Sequence, residues 1–150
     1  MIVRAAIGGG LVVATLLAAG LALGDGSGAS TPEVDRVLGP GPATVELGIE
    51  HSAFSTGRIV VRQGTELTFV VDNGDPIRHE LIVGPSEVHA RHEAGTEAAH
   101  PPRPGEVTID PLEQATTTYA FDEPGFVEFA CHLPGHLAYG MTGTVQVVPA

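Results

Sequence analysis

From Thr44 onward, apolar side chains recur in short bursts of period two rather than at helical spacing. Val45, Leu47 and Ile49 share one phase, and Leu67, Phe69 and Val71 another. Runs of this kind, rich in β-branched and aromatic residues, predict half-buried strands. Eight are expected: Thr44–His51, Arg58–Arg62, Thr65–Asp72, His79–Val83, Glu106–Ile109, Thr116–Phe121, Phe126–Cys131 and Met141–Val148. No amphipathic helix of useful length is expected. Between the runs, Gln63-Gly64 is expected to close one hairpin and Asn73-Gly74-Asp75-Pro76 another, while Glu123-Pro124-Gly125 sets Pro and Gly as a type II turn requires. The pattern predicts an all-β, Greek-key β-sandwich of about eight strands over residues 43–150.

Three segments do not alternate. Residues 1–24 hold one charge, Arg4, and then none until Asp25. Such a run reads as a signal peptide or an N-terminal membrane anchor. With Arg4 before it and acids after it, either reading places the following domain outside the cytoplasm: periplasmic, extracellular or membrane-anchored. Residues 25–42, dense in Gly, Ser and Pro, read as a flexible linker. Residues 84–105 hold His89, His92 and His100 with Glu87, Glu93 and Glu97 but almost no large apolar side chains, and read as an insertion between strands.

Charge narrows the partners. Seven basic against 18 acidic side chains give −11. Nucleic acid is therefore excluded as a partner, and an acidic surface would steer encounter with a basic patch or serve solubility. The chain has a single cysteine, Cys131. In an exported protein a lone thiol is an inert buried residue, an intermolecular link or a metal ligand.

Its neighbours favour the last. Cys131, His136 and Met141 stand in the spacing Cys-x4-His-x4-Met within CHLPGHLAYGM. A thiolate, an imidazole and a thioether on one tight loop form most of a soft trigonal set. His79 can complete it: it opens a strand in phase with Leu81 and Val83, which turns it inward, as Cys131 is turned inward in phase with Val127 and Phe129. One thiolate and two imidazoles also suit zinc, but zinc has little use for the thioether of Met141. His89, His92 and His100 with their Glu neighbours are borderline donors of a type that would accept Cu(II) or Zn(II) as a second metal, but nothing in the loop fixes their geometry, and the segment reads first as a solvated, flexible insertion. His132 is expected at the surface. Pro134, lacking an N–H, cannot donate to the thiolate and either leaves it less stabilised or simply stiffens the loop.

RIVVRQGTELTFVVDN, HELIVG, DEPGFVEFAC and CHLPGHLAYGM together resemble the cupredoxin family of type 1 blue copper proteins over residues 45–148, with a ligand-loop spacing similar to rusticyanin. The resemblance implies one type 1 copper ion, with His79, Cys131 and His136 as equatorial ligands and Met141 as the weak axial one. It implies one-electron transfer by a monomeric protein to a redox partner, or copper binding for homeostasis with a copper-handling partner, and no enzymatic activity. Glu80 departs from the pattern of many electron carriers: it is either a carboxylate close enough to favour Cu(II) or a solvated side chain on the opposite face.

Overall fold

The computed structural model describes residues 36–95 and 100–150. The leader of residues 1–24, most of the linker, and Glu97 lie outside the described residues. Ten strands and one helix follow in order: β1 (Val37–Leu38), β2 (Gly41–Glu50), β3 (Ala53–Phe54), β4 (Arg58–Arg62), β5 (Thr65–Asn73), β6 (His79–Gly84), α1 (Ser86–Glu93), β7 (Glu106–Ile109), β8 (Gln114–Phe121), β9 (Gly125–Ala130) and β10 (Thr142–Val148). The eight expected strands are all present, and the two additional ones are two-residue pairings. No helix among the described residues is long and apolar enough to cross a membrane.

The strands form two sheets, ordered β1-β4-β10-β9-β6-β7 and β3-β2-β5-β8. Between them lie the alternate residues of each strand: Val45, Leu47 and Ile49 of β2, Leu67, Phe69 and Val71 of β5, Ile59 and Val61 of β4, and Val145 and Val147 of β10. Each such side chain contributes roughly 1.5–3 kcal/mol of transfer free energy, which is why one phase of every strand must face the partner sheet. The tail of the linker segment takes part: Val37 and Leu38 pair with Val60 and Val61, and Gly41 and Pro42 with Thr65 and Glu66.

Gln63-Gly64 and Asn73–Pro76 are not hairpins. β4 and β5 lie in different sheets, as do β5 and β6, so each turn is a corner between sheets. At the first corner the Gln63 N–H donates to Val148 O and the Gly64 N–H to Phe121 O, both at 2.8 Å, tying the corner to one strand of each sheet. Gly64 makes the bend at φ +83°, where a side chain would be strained. Turn residues announce that the chain reverses; they do not say which sheet it enters next.

The insertion is also more structured than its sequence suggests. It opens with α1, which follows Pro85, carries Glu87 in its first turn and Arg91 and His92 in its last, and ends on Gly95 in the left-handed region with its N–H on His92 O at 2.9 Å. Its buried residues are His89 and His92. The covered face is imidazole rather than aliphatic, so no hydrophobic periodicity marks it. α1 packs on the outer face of β6, and all six residues of that strand are buried as a result.

Candidate metal centre

β6 delivers His79 as its first residue, and β9, its neighbour, runs directly into Cys131. The loop from Cys131 to Met141 then joins β9 to β10, which are themselves paired from Ala130 and Thr142 onward. Inside the loop the His136 N–H donates to Leu133 O at 3.0 Å, the Met141 N–H to His136 O at 3.1 Å, and the Cys131 N–H to Met141 O at 3.1 Å. The backbone thus ties three of the four expected ligands to one another.

The side chains converge. Donor atoms of His79, Cys131 and His136 lie within 4.8 Å of one another, with Cys131 Sγ 3.2 Å from His136 Nδ1 and the two imidazole centroids 4.8 Å apart. His79, Cys131 and Met141 are fully buried and His136 is half-buried. His79 Nε2 lies 3.0 Å from Asp75 Oδ2. An ionised carboxylate only accepts, so Nε2 carries the proton and the lone pair sits on Nδ1. That Nδ1 is buried with no hydrogen-bond partner. A buried lone pair without a donor costs about 1–3 kcal/mol, and a metal ion is the partner it fits: the donors present are a thiolate, two imidazoles and a thioether, the soft set that suits copper.

Electrostatics agree with ligation. Burial holds His79 below the ordinary imidazole range, in spite of Asp75, so the ring is neutral and can coordinate. Burial pushes the Cys131 thiol up to about 11, opposed by the backbone N–H groups of Glu80 and Leu133, which point at Sγ. These two supply the hydrogen bonds that Pro134 cannot.

Glu80 is not solvated. It is buried, and its Oε1 accepts the His132 N–H at 2.8 Å, so it braces the residue next to Cys131. Nor is His132 a surface residue. It is half-buried under α1, and its Nε2 lies 2.8 Å from His89 Nδ1, whose other nitrogen donates to Glu128 O at 3.2 Å. Of the remaining insertion donors, His92 and His100 meet Glu106, whereas Glu87 and Glu93 are exposed. Asp75 and Glu106 were readable only as a turn and a strand residue. The one available signal was an acid placed four residues before a histidine expected to face inward.

Residues 43–148 match the family model of copper-binding proteins of the plastocyanin/azurin family. The copper-resistant cuproprotein CopI of Rubrivivax gelatinosus is 33% identical over 97 residues, covering 63% of this chain and 59% of that protein's length. CopI of Pseudomonas aeruginosa is 24% identical over 177 aligned positions, covering 93% and 97%. Among solved structures, dithionite-reduced auracyanin from the photosynthetic bacterium Roseiflexus castenholzii superposes with a TM-score of 0.59 at 25% identity, over 71% of this chain and 97% of that one. With the fold, the converging donors and the family match in agreement, the chain belongs to the plastocyanin/azurin family of copper-binding proteins, the cupredoxins.

Proposed function

We propose that this chain is an exported cupredoxin of copper tolerance that retains one type 1 copper ion on His79, Cys131, His136 and a weak axial Met141, and serves one-electron transfer. The observation that carries this reading is the bare, buried Nδ1 of His79, held in place by Asp75 before any ion arrives. Copper bound there supplies a Cu(II)/Cu(I) couple. The protein's part is to keep the donors still, so that little rearrangement accompanies each electron, and to keep water from the thiolate. Cys131 and Met141 are sealed in the core, and the half-buried His136 offers the path outward. Leu133, Pro134, Leu137 and Ala138 around it form the docking patch, within an acidic protein that a basic partner surface would recognise. Replacement of Leu137 by Glu should slow exchange with that partner and leave the copper spectrum intact.

The names of the two CopI relatives support a role in copper tolerance. One cysteine builds one thiolate centre, whereas a dinuclear centre of the oxidase-subunit kind needs two, so no enzymatic turnover is assigned.

A second reading, in which copper is cargo for a copper-handling partner, is favoured by the imidazoles gathered beside the site on α1. Potentiometry combined with a copper-transfer assay separates the two. A reversible couple and no release to an acceptor protein supports the electron carrier; ready release without a stable couple overturns it.

A further inference from the structure

Outside the thiolate site, one other group of described residues gathers potential ligand atoms within 4.8 Å of one another: His92, His100 and Glu106. His92 lies in the last turn of α1, Glu106 opens β7, and His100 lies on the chain between them. Both imidazoles meet the same carboxylate oxygen, His92 Nε2 at 3.0 Å and His100 Nε2 at 2.9 Å from Glu106 Oε2. His92 and Glu106 are buried, and the His100 side chain is 13% exposed.

The hydrogen bonds leave this group with more lone pairs than protons. His100 Nδ1 lies 2.7 Å from Pro101 O, a carbonyl that can only accept, so the Nδ1–H is committed there. In the neutral ring His100 Nε2 is then a bare lone pair facing a carboxylate. His92 stands between two carboxylates, with Nδ1 3.9 Å from Glu80 Oε1 and Nε2 on Glu106. The His92 Nε2–H donates to Glu106 Oε2, and this single proton is all that stands between two imidazole nitrogens and one carboxylate oxygen; a cation that displaces it meets three lone pairs. Arg103 Nη1 lies 3.9 Å from Glu106 Oε2, from a side chain that is 43% exposed.

We propose that His92 Nε2, His100 Nε2 and Glu106 Oε2 form a second metal site, which takes a borderline divalent cation, Cu(II) ahead of Zn(II). Two imidazoles and one carboxylate lack the soft donors that hold Cu(I) and the all-oxygen shell that holds Mg(II) or Ca(II). Donors at about 2.0 Å from an ion, set at right angles, lie about 2.8 Å apart, close to the two separations seen here. In a tetragonal Cu(II) geometry a fourth position stays open to water. Because Cu(II) stands above Zn(II) for a given N/O set, copper occupies the site first when both are present.

The site also has a defined relation to the thiolate centre. His92 bound through Nε2 would carry its proton on Nδ1, which faces Glu80 Oε1 at 3.9 Å, and Glu80 Oε1 holds the N–H of the residue after Cys131. The two sites share a wall made of one side chain.

The test is titration of the full chain with Cu(II), followed by visible absorption, EPR and calorimetry, on the parent and on H100A and E106Q. The expected result is two equivalents: one with the intense thiolate band and narrow hyperfine splitting, the other without the band and with wide splitting. H100A and E106Q should lose the second alone, and the retained thiolate band reports that they fold. Saturation at one equivalent, or a second equivalent that survives both substitutions, overturns the proposal. A wide-splitting signal that H100A removes, in a protein that never shows the thiolate band, upholds this site and sinks the type 1 reading instead.

Discussion

Asp75 and His79 are joined at 3.0 Å through Oδ2 and Nε2, and the same carboxylate holds the turn that ends β2: Oδ1 accepts the His51 N–H at 2.8 Å and Oδ2 the Ser52 N–H at 2.7 Å. Both turn residues sit at positive φ, 54° and 57°, a conformation costly outside glycine unless its surroundings hold it. One side chain therefore fixes a strained turn and the tautomer of a metal-facing imidazole. Asp75→Ala should lower copper affinity about 10–100-fold, the usual loss when the partner of a ligating histidine is removed. Calorimetric titration measures it, and an affinity within twofold of the parent would rule out the positioning role.

The Ser52 N–H, with His51 and His79 adding and burial opposing, holds the Asp75 carboxyl below its ordinary range. A carboxylate shifted down in the folded state contributes stability above its unfolded value of about 3.9, and that contribution disappears as pH falls through the folded value. Denaturant unfolding of the metal-free protein should show parent and Asp75→Asn differing most above about pH 4 and converging in stronger acid. A difference that grows on acidification would contradict this sign.

A thiol held up at about 11 is protonated in the metal-free protein near neutrality, while His79 is neutral there. Binding an ion as thiolate must release that proton. Copper uptake near pH 7 should liberate about one proton per ion, read with an indicator dye, and apparent affinity should rise about tenfold per pH unit below the thiol's value. Uptake without proton release would show that Sγ is not a ligand.

Glu80 touches the centre twice, through its N–H toward Sγ and its Oε1 on the His132 N–H. Glu80→Gln keeps an acceptor and removes a carboxylate from beside the copper, so the reduction potential should rise with the fold intact. Glu80→Ala should in addition cost about 1–3 kcal/mol, because it leaves the His132 N–H without its partner. Voltammetry and thermal unfolding separate the two effects.

Gly143 lies opposite Phe129 across β10 and β9, and a Cβ there would overlap the Phe129 ring. That ring also packs edge-on against Phe54, with centroids 5.3 Å apart, and stands two residues before Cys131. Gly143→Ala should destabilise by about 1–3 kcal/mol through overpacking and shift the thiolate-to-copper band. Unfolding midpoints and visible spectra check both.

Much of this was legible in advance for a physical reason. Buried aliphatic residues repeat every second position, so Leu47, Phe69 and Val145 mark their strands, and the same phase turns His79 inward. What escaped detection depends on pairing across the chain. Gln63-Gly64 announces a reversal but not the change of sheet. α1 buries imidazoles, which no hydropathy pattern registers. Glu80 is enclosed only because α1 covers the outer face of β6, and Asp75 and Glu106 acquire meaning only from the rings that the fold brings beside them.

The consecutive residues His79 and Glu80 point to opposite faces of β6, one toward the thiolate and the other toward the imidazoles of α1. Successive side chains on a strand alternate, so a slip of β6 by a single position would present a carboxylate to Cys131 and strand the imidazole under the helix. Such a chain would still be a β-sandwich, yet it would lack the trigonal donor set. Colour developed per mole of protein is therefore a proofreading signal for strand register, and it would distinguish correctly paired molecules from compact misfolded ones that circular dichroism counts alike.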